Sequence, residues 1–335
     1  MNAVYRVGVF QETSEAWDEM VAKSPYLSLL QTWAFGEAKQ ASGGWRVERI
    51  VLTNNNQDPV AAVQVMVKTK FLKSIGLAWV NRGPVFLQQS PPTATQIALA
   101  LVALRQFYNC DRGLYLRVAP IHHSGEDIAG YSLTDTLGWA SAYIDLTREE
   151  AELRQSLNGK WRNALVRAER SDISIQNGSS PQAFEQFLDG HRRHLTAMGQ
   201  ESGLAPVFLQ TLQHGLPAER KLYCFTASLD GDYLGGVAIV RYGDTAEYLA
   251  GHNLPDGRSN NAGQLLLWAA IITMKNLFYI RFDLGGMDNV RTPEGVFRFK
   301  QRVGGKPYRL PNELEAGSGP IHGLIRQQVE SKRNI

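Results

Sequence analysis

One order of elements is legible twice in this 335-residue chain, and that repetition limits the fold more than any single motif does. In the first half a helix is predicted over Gln31–Ala41. Strands follow near Val47–Leu52, Val60–Lys68 and Leu77–Asn81, then a helix over Thr93–Tyr108 and a strand at Leu114–Val118. In the second half, helices over Pro181–Gly199 and Pro206–Gly215 precede a meander of Lys221–Leu229, Tyr233–Tyr242 and Ala246–Gly251. A helix over Asn261–Lys275 and a strand at Ile280–Leu284 complete it. The strands are read from β-branched and aromatic runs punctuated by turn pairs such as Asp230-Gly231 and Gly243-Asp244. The helices are read from length and apolar spacing, as in Leu265, Trp268, Ala269 and Ile272.

Helix, three antiparallel strands, helix, strand is the order of a GNAT-type acyltransferase core. Its recurrence predicts an α/β protein of two GNAT-like domains, each a mixed central sheet flanked by helices. The length suits two domains. Residues 1–145, joined by a closing helix at about 318–335, are assigned to the first domain and 146–317 to the second. The segment between the copies opens LTREEAEL, where Thr147 is placed to cap a helix and Glu150 to complete the capping box. It continues KWRNALVRAER, with Lys160, Arg162, Arg167 and Arg170 among Trp161, Leu165 and Val166. That is either a phosphate-facing helix or a linker helix with one solvated basic face. The closing helix is predicted over Ile321–Lys332, after a Gly-Ser-Gly-Pro break.

A formal net charge of +3 is too small for a general polyanion binder, so any nucleic-acid contact must use a local patch. Cys110 and Cys224 are far apart, match no metal spacing and read as free thiols of a reducing compartment. His122-His123 falls in a loop. His191 and His194 lie three apart on a helix with no Glu-rich partner, so no metal is expected. Neither cysteine sits at a helix start or an elbow, and no nucleophilic triad is visible. The opening MNAVYRVGVFQETSEAW has no cationic head before an apolar run, and no window approaches the roughly 20 apolar residues of a membrane span. The expectation is a soluble cytoplasmic protein without a cofactor, touching any lipid-linked precursor only peripherally.

The chemically richest stretch is FDLGGMDNVRTPEGVFRFKQRVGG, from Phe282 to Gly305. A short buried strand ending at Asp283 and a glycine pair would expose backbone amides and one acid at a sheet edge. Past Asp288, only Glu294 opposes the basic residues from Arg291 to Arg309. If the segment is extended, Phe297 and Phe299 take one face and Arg298, Lys300 and Arg302 the other, projecting Lys300 into a cleft. The alternative is a strand-turn-strand corner with a solvated basic face.

With SPYLSLLQTWAFGEAK, Asn81-Arg82-Gly83-Pro84, LNGKWRNALVRAER and FDLGG followed by VFRFKQRVGG, the chain resembles the FemABX family over nearly its whole length. These are aminoacyl-tRNA-dependent transferases that build peptidoglycan cross-bridges. The resemblance implies two GNAT-like domains, an acceptor cleft in the first and a channel for the aminoacyl-tRNA end in the second. It places Lys300 at the family lysine that steadies the oxyanion of acyl transfer, a role that suits a cation beside a carbonyl gaining charge. Asp283 matches the acid before the double glycine, where it orients the site or shuttles the amine proton; a turn-capping carboxylate is its plainer reading. Lys39 matches a lysine that faces acceptor phosphates or carboxylates, and Arg82 is taken as a second acceptor contact. Tyr115, Tyr248 and Phe299 are taken as further substrate contacts. Lys160, Arg162, Arg167, Arg298, Arg302 and Lys306 are the candidates for tRNA phosphates.

The departures bear on the acceptor. Where members taking a nucleotide-linked muropeptide carry tyrosine and arginine side chains, this chain has Leu114 and Leu249, with Tyr115 and Tyr248 one residue off. Leu204 and Phe208 stand where an Arg and Tyr pair is absent, and there is no room for the coiled-coil arm of some members. Two other functions stay open. Arg258-Ser259-Asn260-Asn261-Ala262-Gly263 comes close to a CoA pyrophosphate loop, but Asn261 replaces its first glycine and reads first as an Asn cap. That leaves an acyl-CoA-dependent N-acyltransferase acting on an amino sugar or exopolysaccharide precursor. A catalytically silent GNAT-fold binding protein is the third reading.

Overall fold

The computed structural model describes residues 4–70, 75–122, 127–199, 204–317 and 320–331. His123, Lys332 and the Ser-Gly of the expected break at 318–319 lie outside them. The chain divides into two compact units, 1–138 with 310–335, and 139–309.

In the first unit the strands are β1 (Arg6–Val9), β2 (Arg46–Thr53), β3 (Pro59–Lys70), β4 (Ile75–Asn81), β5 (Val85–Phe86), β6 (Tyr115–Ala119), β7 (Ser132–Leu133) and, from the end of the chain, β15 (Leu314–Ala316). They form a sheet in the order β1-β2-β3-β4-β6-β15-β7, with β5 pairing β3. The β2–β3–β4 meander is antiparallel and β4–β6 is parallel, which makes the sheet mixed. Helices α1 (Ser14–Val21), α2 (Trp33–Gly43), α3 (Ala94–Leu104) and α11 (Pro320–Ser331) flank it. Thr93 caps α3 through a full capping box with Gln96, so this helix starts where its sequence says it should. Its apolar face packs Ile97, Leu101 and Leu104 on Ile50, Val63 and Val65 of the sheet.

In the second unit β8 (Ala140–Asp145), β9 (Ser174–Gly178), β10 (Tyr223–Leu229), β11 (Asp232–Tyr242), β12 (Thr245–Asn253), β13 (Arg281–Asp283) and β14 (Lys306–Arg309) run in the order β14-β8-β13-β12-β11-β10-β9. Around them lie α4 (Glu150–Ser156), α5 (Gly159–Glu169), α6 (Pro181–Met198), α7 (Pro206–Gly215), α8 (Pro255–Ser259), α9 (Ala262–Asn276) and α10 (Glu294–Val303). The meander of the second half is antiparallel, and β12 pairs β13 in parallel for only three residues, Thr245–Glu247 with Arg281–Asp283. A bulge at Leu249 interrupts β12 just beyond that pairing.

Three local expectations change. The unit boundary falls at 138/139 rather than 145/146 because β8 pairs β13 and β14, and the chain returns to the first unit at 310 because β15 pairs β6. Local sequence does not say which sheet a lone strand joins. Thr147 bonds Asp145, and α4 begins at Glu150 behind Glu149, so the expected capping box does not form. The segment holding Lys300 is a helix, α10, not an extended run.

Candidate active site

The helical form of residues 294–303 decides the site. At helical spacing Phe297, Lys300 and Val303 turn inward while Arg298 and Arg302 stay exposed. Lys300 is thereby buried to 6 % exposure, and a buried ammonium requires compensation. Its Nζ donates to the carbonyl of Gly286 at 3.3 Å and lies 4.7 Å from the centroid of the Tyr248 ring. Burial lowers its pKa to about 8 against the opposing pull of Asp283 and Glu247.

The glycine pair makes room for this contact. Gly285 has φ +68, and a Cβ there would meet the Tyr248 carbonyl oxygen at 2.6 Å. A Cβ on Gly286 would meet Cη2 of the Trp139 indole at 2.9 Å. Asp283, 1 % exposed, anchors the turn: its Oδ1 accepts from Ser141 Oγ and from the Gly285 amide at 2.8 Å, and its Oδ2 accepts from Tyr308 Oη at 2.6 Å. Glu247, its register partner on β12, accepts from Tyr242 Oη at 2.5 Å. Burial raises the Tyr248 hydroxyl to about 12.

The loop from Gly286 to α10 is tied by Asp288. Its Oδ1 accepts from the amides of Val290 at 2.9 Å and Arg291 at 3.1 Å, and its Oδ2 from Arg291 at 3.2 Å and Arg309 at 2.9 Å. Burial works to raise this carboxyl, but these donors hold it well below the usual range.

On the neighbouring face of α10 is a groove of about 400 Å³ between α5, α9 and α10. Lys160 and Arg167 border it from α5, seven residues apart and so on one face; Arg298 and Arg302 border it from α10. Its apolar lining is Trp161, Ala164 and Phe299, with Phe299 6.0 Å from the Trp161 ring, and Gln264 adds the side-chain amide. The central basic helix therefore does face a cavity.

The remaining candidates lie elsewhere. Arg162 bonds the Gln155 carbonyl at 3.4 Å, and Lys306 is exposed on β14; neither borders the groove. In the first unit, burial and the nearby Lys68 lower the pKa of Lys39. Lys39 Nζ sits 5.6 Å from the Phe35 ring, and Lys68 Nζ 4.3 Å over Trp45. Arg82 is buried with φ +55 and donates to Ser28 Oγ at 3.3 Å. Tyr115 is 1 % exposed and donates to Glu315, which also pairs with Arg326 of α11. Arg82 and Tyr115 are thus engaged in the interior of the first unit.

Sequence reasoning missed Glu247, Ser141, Tyr308, Trp139 and Lys68. Ser141 and Tyr308 reach Asp283 only because β8 and β14 join the second sheet, for which the sequence carries no signal. His252 was also missed, although it stacks with His194 at 5.8 Å and shares a 2.7 Å hydrogen bond with Tyr233. Burial lowers His252 to about 3. Among the described residues no group of His, Cys, Asp and Glu is arranged to hold a metal.

The segment 258–263 is not an open amide cradle. The amides of Arg258, Asn260, Asn261, Gln264 and Leu265 bond carbonyls of residues 254–261. Asn261 precedes α9 with φ 59 and makes no side-chain cap, so the expected Asn cap is absent. Space above Gly263 is taken by Asn253 Nδ2, 2.3 Å from where a Cβ would lie.

No curated protein matches the chain. Residues 151–301 match a family model described as an acetyltransferase (GNAT) domain. Among solved structures, FemX superposes with a TM-score of 0.78 at 13 % identity, covering 96 % of this chain and 100 % of that one. The C-terminal domain of a putative lysylphosphatidylglycerol synthetase from Agrobacterium fabrum gives 0.57 at 16 % identity, over 93 % and 96 % of the two chains. A tandem GNAT protein from the clavulanic acid biosynthesis pathway gives 0.50 at 12 % identity, over 95 % and 99 %. Among the described residues no helix is long and apolar enough to cross a membrane. The chain is a two-domain α/β protein of the tandem GNAT fold, and over almost its full length it is similar to FemX.

Proposed function

We propose that the protein is an aminoacyltransferase that moves an amino acid from a charged tRNA to an amine of a peptidoglycan precursor or related cell-wall peptide. The observation that carries the reading is the buried Lys300 ammonium, held between the Gly286 carbonyl and the Tyr248 ring, with a basic groove on the next face of the same helix.

The acceptor nitrogen attacks the ester carbonyl carbon, forming the N–C bond and placing negative charge on the carbonyl oxygen. Lys300 stabilises that oxyanion from a dry site, where a fixed cation acts most strongly. Collapse breaks the C–O bond to the ribose, and the proton lost by the amine ends on the departing ribose oxygen. Asp283 is engaged by Ser141, the Gly285 amide and Tyr308, and its part is to orient the turn that presents Gly285 and Gly286. Lys160, Arg167, Arg298 and Arg302 take donor phosphates, while Lys39 with Lys68 holds acceptor anionic groups.

The GNAT domain match favours a second reading, an acetyl-CoA donor with an amino sugar acceptor. Against it stand the bonded amides of Arg258, Asn260, Asn261, Gln264 and Leu265 and the Asn253 side chain over Gly263, which crowd a pyrophosphate. The deciding experiment offers a mixture of muropeptide precursors either radiolabelled charged tRNA or labelled acetyl-CoA. Label arriving from tRNA supports the proposal. Label arriving only from acetyl-CoA replaces it with the second reading, and transfer from neither overturns both for these acceptors.

A further inference from the structure

Two tyrosines beside the glycine turn commit their hydroxyls to carboxylates: Tyr242 donates to Glu247 and Tyr308 to Asp283. Tyr248 does not. On β12, Ala246 and Tyr248 alternate toward the core packed under α9, which turns Glu247 to the opposite face. The Tyr248 ring lies beneath the Lys300 ammonium, yet its hydroxyl donates to no group among the described residues. Unlike the Trp161 indole nitrogen, which is sealed in the core without a partner, this oxygen keeps access to solvent. A phenol hydroxyl held in a packed interior normally finds a partner, so one left open beside a fixed cation calls for a use.

The backbone makes room for that hydroxyl. A Cβ on Gly251 would fall on Tyr248 Oη, so a glycine is what lets the ring extend along β12. From beneath Lys300 the ring reaches Gly251. Two residues further on, Asn253 packs over Gly263, the neighbour of groove-lining Gln264. Cation and hydroxyl therefore share the side of β12 that leads from the glycine turn toward the basic groove.

Aminolysis of an ester needs two things at one carbonyl: positive charge for the oxyanion, and a proton for the departing oxygen, because an alkoxide leaves poorly. Lys300 supplies the first. Burial keeps the Tyr248 hydroxyl protonated at neutral pH, and the ammonium above its ring steadies any phenolate character gained during transfer. Resting on the charged-tRNA reading above, we infer that Tyr248 is a catalytic residue that relays the proton. Its Oη gives a proton to the ribose oxygen as the C–O bond breaks, and takes up the proton shed by the attacking amine. The hydroxyl is restored in each turnover, and Asp283 keeps its three donors throughout.

Tyr248→Phe keeps the ring under Lys300 and removes only the hydroxyl. With the full chain, charged tRNA and the muropeptide mixture, it should lower kcat by about 10² while the KM for tRNA and the melting temperature stay unchanged. The loss should largely vanish when the amino acid is carried on a terminal 3′-thioribose, since a thiolate departs without a proton. An unchanged kcat in Tyr248→Phe, or an equal loss with oxygen ester and thioester, overturns the relay and leaves the charged-tRNA reading standing. Absence of transfer from tRNA by the wild type overturns that reading and this inference together.

Discussion

Glu247 and Asp283 face each other as register partners in the three-residue parallel pairing of β12 with β13, two buried carboxylates whose charge opposes the desolvation of Lys300. Each is bonded by a tyrosine hydroxyl, Tyr242 on one and Tyr308 on the other. The lysine therefore sits over a preformed negative site while burial works to discharge it.

Lys300→Met should lower turnover by about 10² to 10³, the loss typical of removing one oxyanion donor. Wild-type turnover should also fall as pH rises through about 8, where the ammonium deprotonates. Lys300→Arg, which keeps its charge, should move that fall upward if any turnover survives. A pH–rate profile of the three proteins decides it; a wild-type rate flat through pH 8 would take the ammonium out of the mechanism.

The same group makes a stability prediction of definite sign. Folding lowers its pKa from 10.5 to about 8, so between those values the folded state binds fewer protons than the unfolded chain. Stability from this group is fullest above the unfolded value and is lost as pH falls through the window. Urea unfolding of wild type should therefore show a positive slope with pH there, and Lys300→Met should reduce it.

Gly285→Ala forces a side chain into φ +68 and onto the Tyr248 carbonyl, and should cost about 2 to 4 kcal/mol. Gly286→Ala meets only the far edge of the Trp139 ring, which can shift, so it should cost less while displacing the carbonyl that holds Lys300. Denaturation midpoints and turnover for both variants separate the two effects: the first loses stability, the second activity.

Asp288→Ala should destabilise by about 2 kcal/mol at neutral pH by releasing the loop between Gly286 and α10. Because the folded carboxyl is held low, its contribution is present above the unfolded carboxylate range and lost as pH falls below it. The gap between wild type and variant in urea melts should narrow toward acid.

Acetyl-CoA should not raise the melting temperature, since the amides of Arg258, Asn260, Asn261, Gln264 and Leu265 are already bonded and Asn253 crowds Gly263. A clear concentration-dependent shift would instead favour the CoA-dependent reading.

The duplicated element order was legible because period-two and period-3.6 patterns and turn pairs are local properties. Asp230 and Gly231 have the positive φ values that their turn demands, and Thr93 with Gln96 forms a full capping box. Phe297, Lys300 and Val303 fit a helical stripe as well as Phe297 and Phe299 fit an extended one, and a window of ten residues does not choose between them. What the chain determined by itself was its element order, its α/β class and the composition of the Phe282–Gly305 segment. Tertiary structure alone decided that β8 pairs β13 and that β14 pairs β8, and hence that Ser141 and Tyr308 reach Asp283. It also decided that Lys300 turns inward over Tyr248 while α5 and α10 close a basic groove. Strand partners and burial depend on residues more than a hundred positions apart, and no local pattern encodes which of them will meet.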